Sequence, residues 1–281
     1  MTFLLWGTQH PPIKILSGEI SPVLFNFLRY FFAGLALVPF VLNERVKIKK
    51  EDLLGLSFLG FMGIFIFGII NLVGVRLSTA TNNAILLNSW PLLVVFIAPI
   101  LIREKVTKKA VFGTFIGLLG VVAVVTNGAS MGDVVKTEYF MGNLLILLSG
   151  VCLAFYSMLG KKYVKKYGGL NVTFAAILVG TMMLFVLSLL SGDIFSLGKI
   201  SLSSFLLLLW IAVPTTALTY VVWFKSIDRI GLVKTSSFFF IIPISGVVSS
   251  SVFLGELITK YTLIGIALIL LGVYVVQKKS R

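Results

Sequence analysis

Long apolar stretches separated by short polar connections follow one another along the whole chain, and there are ten of them. A helix that crosses the hydrocarbon core of a bilayer needs about 20 mostly apolar residues. The pattern therefore predicts an all-α integral membrane protein with ten transmembrane helices. The predicted stretches are 2–16, 22–42, 53–75, 79–102, 110–127, 140–160, 171–191, 203–224, 232–254 and 261–277.

The composition supports this reading and excludes a soluble domain. Apolar residues make up 58% of the 281 residues and charged residues only 12%, whereas a soluble domain carries about 25% charged residues. The lone Cys152 can form no disulfide bond within the chain, which excludes a disulfide scaffold. No Gly-rich phosphate-binding loop is present, so nucleotide hydrolysis is not expected.

Basic residues concentrate in alternate connections between the stretches. The connections after stretches two, four, six and eight hold 15 Lys and Arg residues, and the five intervening connections hold five. Cytoplasmic loops carry the excess of Lys and Arg, so we predict a multi-pass protein of the cytoplasmic membrane with both termini in the cytoplasm. Arg29 falls outside this tally, seven residues into the second stretch. It could reach the interface, pair inside the bundle or take part in binding.

The second half of the chain repeats spacings of the first half. This defines two homologous five-helix units, 1–127 and 139–281, joined by a linker, 128–138. Because five is odd, the second unit must enter the membrane in the opposite orientation, which predicts an inverted repeat. Such repeats are common in secondary transporters, where the solute lies near the midplane between the two repeats. The residues that recur 152 positions later are Pro91, Glu104, Gly113 and Gly120, as Pro243, Glu256, Gly265 and Gly272.

Three short motifs add a family resemblance that covers nearly the whole chain. They are Trp6-Gly7 followed by Lys14, Pro91 followed by Arg103-Glu104-Lys105, and Pro243 followed by Leu254-Gly255-Glu256. Together they resemble the EamA-type carriers of the drug/metabolite transporter superfamily. The resemblance implies a ten-helix inverted-repeat fold that moves small metabolites, commonly amino acids or related compounds, usually outward. Such chains usually have more residues before the Trp-Gly pair than the five present here, so we expect a short first helix.

The repeated glycines and glutamates have structural and functional alternatives. Gly113 and Gly117 on the fifth stretch, with Gly265 and Gly272 on the tenth, allow close helix approach, either within the chain or across a homodimer face. Glu104 and Glu256 are expected to cap the helices that follow them, or to pair with Lys108 and Lys260, and a gating role is the alternative.

Candidate site residues gather around the two repeated prolines. Pro91 and Pro243 lie near the centres of the fourth and ninth stretches, where proline kinks a helix and frees a backbone carbonyl. We expect a solute cavity at these kinks, and amide donors with aromatic walls suit a small zwitterionic or amphipathic solute. Interhelical hydrogen bonding is the alternative use of the polar members. The candidate substrate-binding residues are Gln9, His10, Asn71, Asn88, Trp90, Tyr156, Tyr220, Phe239 and Phe240.

These observations predict a secondary transporter or facilitator that works by alternating access. The ten carboxylates all fall in connections or at helix ends, so we expect facilitated transport, or weak proton coupling through His10, the only histidine. The expected partners are a small-molecule solute and membrane lipid, with a homodimer possible and no nucleic acid. We expect no catalytic residue, cofactor or metal, since an enzyme would show clustered His, Asp or Glu. The alternatives are a non-transporting membrane scaffold and an integral-membrane enzyme.

Overall fold

The computed structural model describes residues 2–16, 19–78, 86–126, 139–254 and 258–278, and within these ranges the chain is helical, with no β-strand. Six helices in the described part of the chain are long and apolar enough to cross a membrane. They are Pro22–Glu44, Lys50–Gly74, Phe140–Leu190, Leu202–Ile230, Leu232–Ser249 and Lys260–Gln277, and a shorter apolar helix covers Trp90–Leu101. The all-helical membrane class predicted from the hydrophobic pattern is therefore present.

The helices in chain order are α1 Thr2–Gly7, α2 His10–Leu16, α3 Pro22–Glu44, α4 Lys50–Gly60, α5 Phe67–Arg76, α6 Trp90–Leu101, α7 Lys108–Thr126, α8 Phe140–Leu190, α9 Leu202–Ala212, α10 Thr219–Ile230, α11 Leu232–Ser237, α12 Ile242–Leu254 and α13 Lys260–Gln277. Two π-helical turns, Phe61–Ile66 and Val213–Leu218, join α4 to α5 and α9 to α10. A 3-10 turn, Phe238–Ile241, joins α11 to α12, and another, Asp193–Lys199, precedes α9.

The first, sixth and seventh predicted stretches differ in detail from the observed helices. The first stretch is split between α1 and α2, because Pro11 and Pro12 lack an N–H and fit only the first turn of a new helix. The helix α8 changes direction at Gly168, whose φ of 77° breaks the helical path between the sixth and seventh stretches. Residues 79–85 and the predicted linker, 128–138, lie outside the described ranges, so the ten-helix count stays a prediction.

The internal repeat extends to the boundaries of the secondary structure. Five elements of the first half have counterparts that begin 152 residues later, which is the offset of the sequence repeat. Both π-helical turns are among them, so the repeat includes local distortions of the helices as well as residue types. Glu256, the counterpart of Glu104, lies outside the described residues. The paired starting residues are Lys50 and Leu202, Phe61 and Val213, Phe67 and Thr219, Trp90 and Ile242, and Lys108 and Lys260.

The helices α7 and α13, which are counterparts in the repeat, touch through their glycines. A Cβ atom added to Gly113 would lie 2.7 Å from the carbonyl oxygen of Gly272, and one added to Gly120 would lie 2.7 Å from that of Gly265. Residue numbers increase along α7 from Gly113 to Gly120, while those of the contacting residues on α13 decrease from Gly272 to Gly265. The two helices therefore run antiparallel. Small residues allow such backbone contact in membranes. These glycines therefore pack helices within the chain, one of the two uses that the sequence left open.

Glu104 connects three segments at one end of the bundle. Its carboxylate accepts hydrogen bonds from the backbone N–H groups of Leu232 at 3.1 Å and Val233 at 2.9 Å, and it forms an ion pair with Lys161. A carboxylate at a helix N-terminus interacts favourably with the helix dipole. Glu104 therefore caps α11 in the other half of the chain. The expected cap on α7 and the ion pair with Lys108 are absent, because the tertiary fold brings α11 and Lys161 closer.

A second ionic cluster lies at the same end of the bundle. Lys166 pairs with Asp52 and Glu51, and the hydroxyl of Tyr167 donates to Asp52. The two clusters bring together residues of the cation-rich connections after the second, fourth, sixth and eighth stretches, at 49–52, 102–107, 161–167 and 231–233. We refer to this end as the basic end.

We expect Gly113→Ala to lower stability by about 1–3 kcal/mol, because the added methyl group would overlap the backbone of α13. Gly198→Ala is the matched control, since nothing lies within 4 Å of a Cβ at that position. The measurement is the melting temperature of both variants in detergent. Equal melting temperatures for Gly113→Ala and the parent protein would contradict the close contact of α7 with α13.

Candidate functional site

Arg29 points from α3 into the helix bundle. It lies seven residues after Pro22, about 10 Å along the helix at 1.5 Å per residue. Its Nε donates to Oγ1 of Thr216 at 2.7 Å, and its Nη2 donates to Oε1 of Gln9 at 3.2 Å. The guanidinium carbon lies 5.4 Å from the centre of the Tyr30 ring. Arg29 thus joins α3 to the segments that carry Gln9 and Thr216.

The π-helical turn Val213–Leu218 positions the threonine that Arg29 contacts. Pro214 has no N–H, so the regular hydrogen-bond pattern of α9 cannot continue through it. The hydroxyls of Thr215 and Thr216 both donate to the carbonyl oxygen of Ile211, each at 2.8 Å. They satisfy a carbonyl group at the widened turn while leaving Thr216 able to accept from Arg29. Widened turns of this kind occur frequently at functional sites.

Two tyrosines lie beside Arg29, and a third lies near this pair. The hydroxyls of Tyr30 on α3 and Tyr220 on α10 are 3.2 Å apart and share a hydrogen bond. Tyr156 on α8 is buried and lies within electrostatic range of both. Its hydroxyl has no hydrogen-bond partner among the described residues. We refer to Gln9, Arg29, Tyr30, Thr216 and Tyr220 as the polar centre.

Aromatic rings adjoin the polar centre on one side. The Trp6 ring lies 6.1 Å from that of Tyr220, and the Trp90 ring lies 4.9 Å from Phe239 and 5.7 Å from Trp223. The indole N–H groups of Trp90 and Trp223 are buried and find no acceptor in the described part of the chain. We refer to the rings of Phe3, Trp6, Trp90, Trp223, Phe238 and Phe239 as the aromatic cluster.

The structure brings four of the sequence-predicted site residues together and places a fifth beside them. Gln9 and Tyr220 belong to the polar centre, Trp90 and Phe239 belong to the aromatic cluster, and Tyr156 lies beside the tyrosine pair. Both units of the repeat therefore contribute side chains to one site.

The other predicted residues lie elsewhere or are not fully described. Asn71 donates to Oγ of Ser149 at 3.2 Å, an interhelical bond between α5 and α8. Phe240 packs with Val121 in a separate apolar cluster. Asn88 is buried in the turn before α6. His10 begins α2, but its side chain lies outside the described part of the protein.

Pro91 and Pro243 each lie just after an interruption of regular α-helix, and a kink at either proline stays a prediction. Pro91 is the second residue of α6 and follows a turn at residues 88–89, and Pro243 is the second residue of α12 and follows the 3-10 turn Phe238–Ile241. A proline fits the first turn of a helix, where its missing N–H is not needed. The interruption therefore lies just before each proline. The aromatic residues Trp90 and Phe239 of the site lie at these interruptions.

Sequence reasoning did not select Tyr30, Thr216 or Phe3 and left the role of Arg29 open. The available signals were the position of Arg29 inside an apolar stretch and the run of two threonines after Pro214. Tyr30 and Phe3 carry no such signal, because aromatic residues are common in this chain.

Two cavities lie outside this site. One of about 410 Å³ is lined by residues including Leu28, Phe32 and Phe205. The other, of about 210 Å³, is lined by residues including Ser21, Asn26, Arg76 and Asp193, at the end of the bundle opposite the basic end. Asn26 lies one helical turn before Tyr30 on the same face of α3. None of the sequence-predicted site residues lines either cavity.

Comparison with known sequences finds one family in both halves of the chain. The sequence model of the EamA-like transporter family matches residues 1–126 and, separately, residues 140–277. The uncharacterized transporter YyaM of Bacillus subtilis is 32% identical over 92% of this chain and 86% of its own length. An uncharacterized transporter of Archaeoglobus fulgidus is 28% identical over 99% of this chain and 97% of its own length.

Comparison with solved structures finds the same fold. A crystal structure of a protein that is 19% identical superposes with a TM-score of 0.83, over 98% of this chain and 93% of that chain.

We expect Trp90→Phe to lower the free energy of unfolding by only about 1–2 kcal/mol, because it removes some ring volume but no hydrogen bond to the described residues. Trp90→Ala should cost about 3–5 kcal/mol, since it leaves a cavity among the rings. Melting curves in detergent test both variants. If Trp90→Phe destabilises as much as Trp90→Ala, the indole N–H has a partner and the description of the aromatic cluster is wrong.

Proposed function

This chain belongs to the EamA-like transporter family, and we propose that it is a secondary transporter or facilitator that moves small metabolites across the cytoplasmic membrane by alternating access. The family and the names of its relatives indicate a membrane transporter and not an enzyme. We propose amino acids or related solutes as the substrates, with export as the direction. The observation that carries the proposal is the polar centre beside the aromatic cluster, to which both halves of the chain contribute.

Three observations support two inverted five-helix units, 1–127 and 139–281. The family model matches the two halves separately, and five structural elements recur at an offset of 152 residues. The repeat counterparts α7 and α13 run antiparallel, as two units of opposite orientation require. In transporters with inverted repeats the solute site lies near the midplane where the repeats meet. The polar centre lies at such a meeting of the two units, since Arg29 contacts Thr216.

The charge distribution supports an orientation with the basic end in the cytoplasm and with both termini there. The 210 Å³ cavity then opens to the outside, and the ionic clusters of Glu104 and Asp52 close the cytoplasmic side. Passage from the polar centre to the cytoplasm requires these contacts to separate. We therefore propose that the described conformation is the state that is closed towards the cytoplasm.

Transport by the purified protein in proteoliposomes tests the proposed function. We expect saturable counterflow of at least one labelled amino acid or related metabolite, and Phe239→Ala should reduce it at least about tenfold, because it removes a ring of the aromatic cluster. Phe195→Ala is the matched control, since that ring is 83% exposed. No flux above protein-free liposomes for any solute of the panel would contradict the proposal and favour a non-transporting scaffold.

Glu104→Ala should open the basic end. Hydrogen bonds to a charged group contribute about 1.5–3 kcal/mol each, so we expect the open population to rise about tenfold or more. The reporter is Ser157→Cys in a Cys152→Ala background, because Ser157 is buried one turn from Lys161. The measurement is the rate of labelling by a membrane-impermeant maleimide, applied separately from the two sides of the membrane.

Glu51→Ala is the control for the gate experiment, since the Glu51 side chain is 66% exposed and its ion pairs lie at the surface. Faster labelling from the cytoplasmic side in Glu104→Ala alone agrees with the proposed gate. Faster labelling only from the opposite side would contradict the proposed orientation, and an unchanged rate would contradict a gate at Glu104.

A further inference from the structure

The positive charge of Arg29 has no counter-charge in the described structure. Its two hydrogen-bond acceptors, Thr216 and Gln9, are neutral, and it forms no ion pair with a carboxylate of the described ranges. A guanidinium group has five N–H donors, and these two bonds use two of them. Charged groups within a membrane are costly and normally pair with an opposite charge. The guanidinium group therefore retains both charge and donors for a further acceptor.

Arg29 does not reach towards the membrane interface. A snorkelling arginine would extend its side chain along the lipid-facing surface of α3 towards the end of that helix. The side chain instead contacts Gln9 on the segment between α1 and α2 and Thr216 on the turn before α10, which are two other parts of the bundle. The charge is held inside the bundle by protein contacts.

The polar centre and the aromatic cluster hold further hydrogen-bond donors, and no carboxylate of the described residues pairs with Arg29. The buried hydroxyl of Tyr156 and the buried indole N–H groups of Trp90 and Trp223 have no protein acceptor there. An anion can accept from such donors, whereas an ammonium group would meet the charge of Arg29 with no carboxylate to offset it. The site therefore favours a solute with net negative charge over one with net positive charge.

The aromatic cluster indicates that the rest of the solute is apolar. The contact of the Trp6 ring with that of Tyr220, at 6.1 Å, places apolar ring surface next to the hydroxyl pair and Arg29. A solute that places an acceptor on Arg29 can lay an apolar body against these rings. Arginine binds carboxylates with two parallel N–H donors, which adds specificity to the charge.

We propose that Arg29 binds the carboxylate of the transported solute, and that the preferred solute class is a small organic anion with one carboxylate and a flat apolar body. This assignment rests on the proposed transport function, and among the proposed solutes it favours carboxylic acids related to amino acids over the zwitterionic amino acids themselves. It makes Arg29 a specificity-determining residue at which the solute carboxylate completes the ion pair that the protein itself lacks.

Matched pairs of carboxylic acids and their primary amides test the assignment with full-length protein in nanodiscs. The pairs share a flat, phenyl-containing apolar body, as in 3-phenylpropanoate and 3-phenylpropanamide. Binding is followed by tryptophan fluorescence, because Trp6, Trp90 and Trp223 belong to the cluster. We expect the parent protein to bind the carboxylate of at least one pair about tenfold or more tightly than its amide, the range that a charge-assisted hydrogen bond provides.

Variants at Arg29 then assign this preference to the residue. Arg29→Gln should reduce the ratio of carboxylate to amide affinity to about one, and Arg29→Lys should retain part of the preference. Arg229→Gln is the matched control, because Arg229 is an exposed arginine at the end of α10. If Arg29 had only a structural role, Arg29→Gln would lower the affinity for both the carboxylate and the amide of a pair and leave the ratio of the two affinities unchanged.

The outcomes separate this inference from the proposed function. No carboxylate preference in any pair, or a preference that survives in Arg29→Gln, overturns the assignment, and solute counterflow by the same preparation would still support transport. Absence of counterflow for every solute overturns the transport function itself. If Arg29→Gln does not fold, the assignment is tested by the ratio of carboxylate to amide affinity in the parent protein and in Arg29→Lys.

Discussion

Backbone polar groups inside a membrane must be satisfied by the protein, and proline removes a donor from a helix wherever it occurs. In this chain four of the site residues lie at interruptions associated with prolines. Gln9 lies before Pro11, Trp90 lies beside Pro91, Thr216 follows Pro214, and Phe239 precedes the proline of α12. Irregular backbone at membrane depth is tolerated only where it is buried in protein or lines a cavity. The same constraint that places these interruptions inside the bundle thereby brings their side chains to one site.

The two kinds of charged group in the structure have different consequences. At the basic end, Glu104 and Asp52 join the two halves of the chain through ion pairs and hydrogen bonds. Water molecules at the surface can replace these contacts. These contacts can therefore separate and form again as the halves move. Arg29 lies deeper and bonds only to neutral oxygens. No carboxylate of the described residues pairs with its charge, and this difference underlies our proposal that the basic end controls access while Arg29 selects the solute.

The antiparallel contact between α7 and α13 joins the two halves of the chain along one pair of helices. Backbone touches backbone at Gly113 and Gly272, where even a methyl group would not fit without displacement. Each of these helices is the counterpart of the other in the repeat, so both halves present the same surface to this contact. A rigid seam on one side of the bundle, with separable ionic contacts elsewhere, suits a rocking motion of one half against the other.

Much of this architecture could be predicted from the sequence. Apolar length identifies membrane helices, and the spacing of Pro91, Gly113 and their counterparts identifies the repeat, because both depend on local composition and on distances along the chain. The family followed from short motifs for the same reason. The tertiary structure decided which side chains meet. Phe239 and Phe240 are neighbours in sequence yet belong to different clusters, since successive residues of a helical turn point in different directions. Membrane depth made Asn71 and Gln9 equal candidates, and only the packing of separate helices placed Asn71 on Ser149 and Gln9 on Arg29.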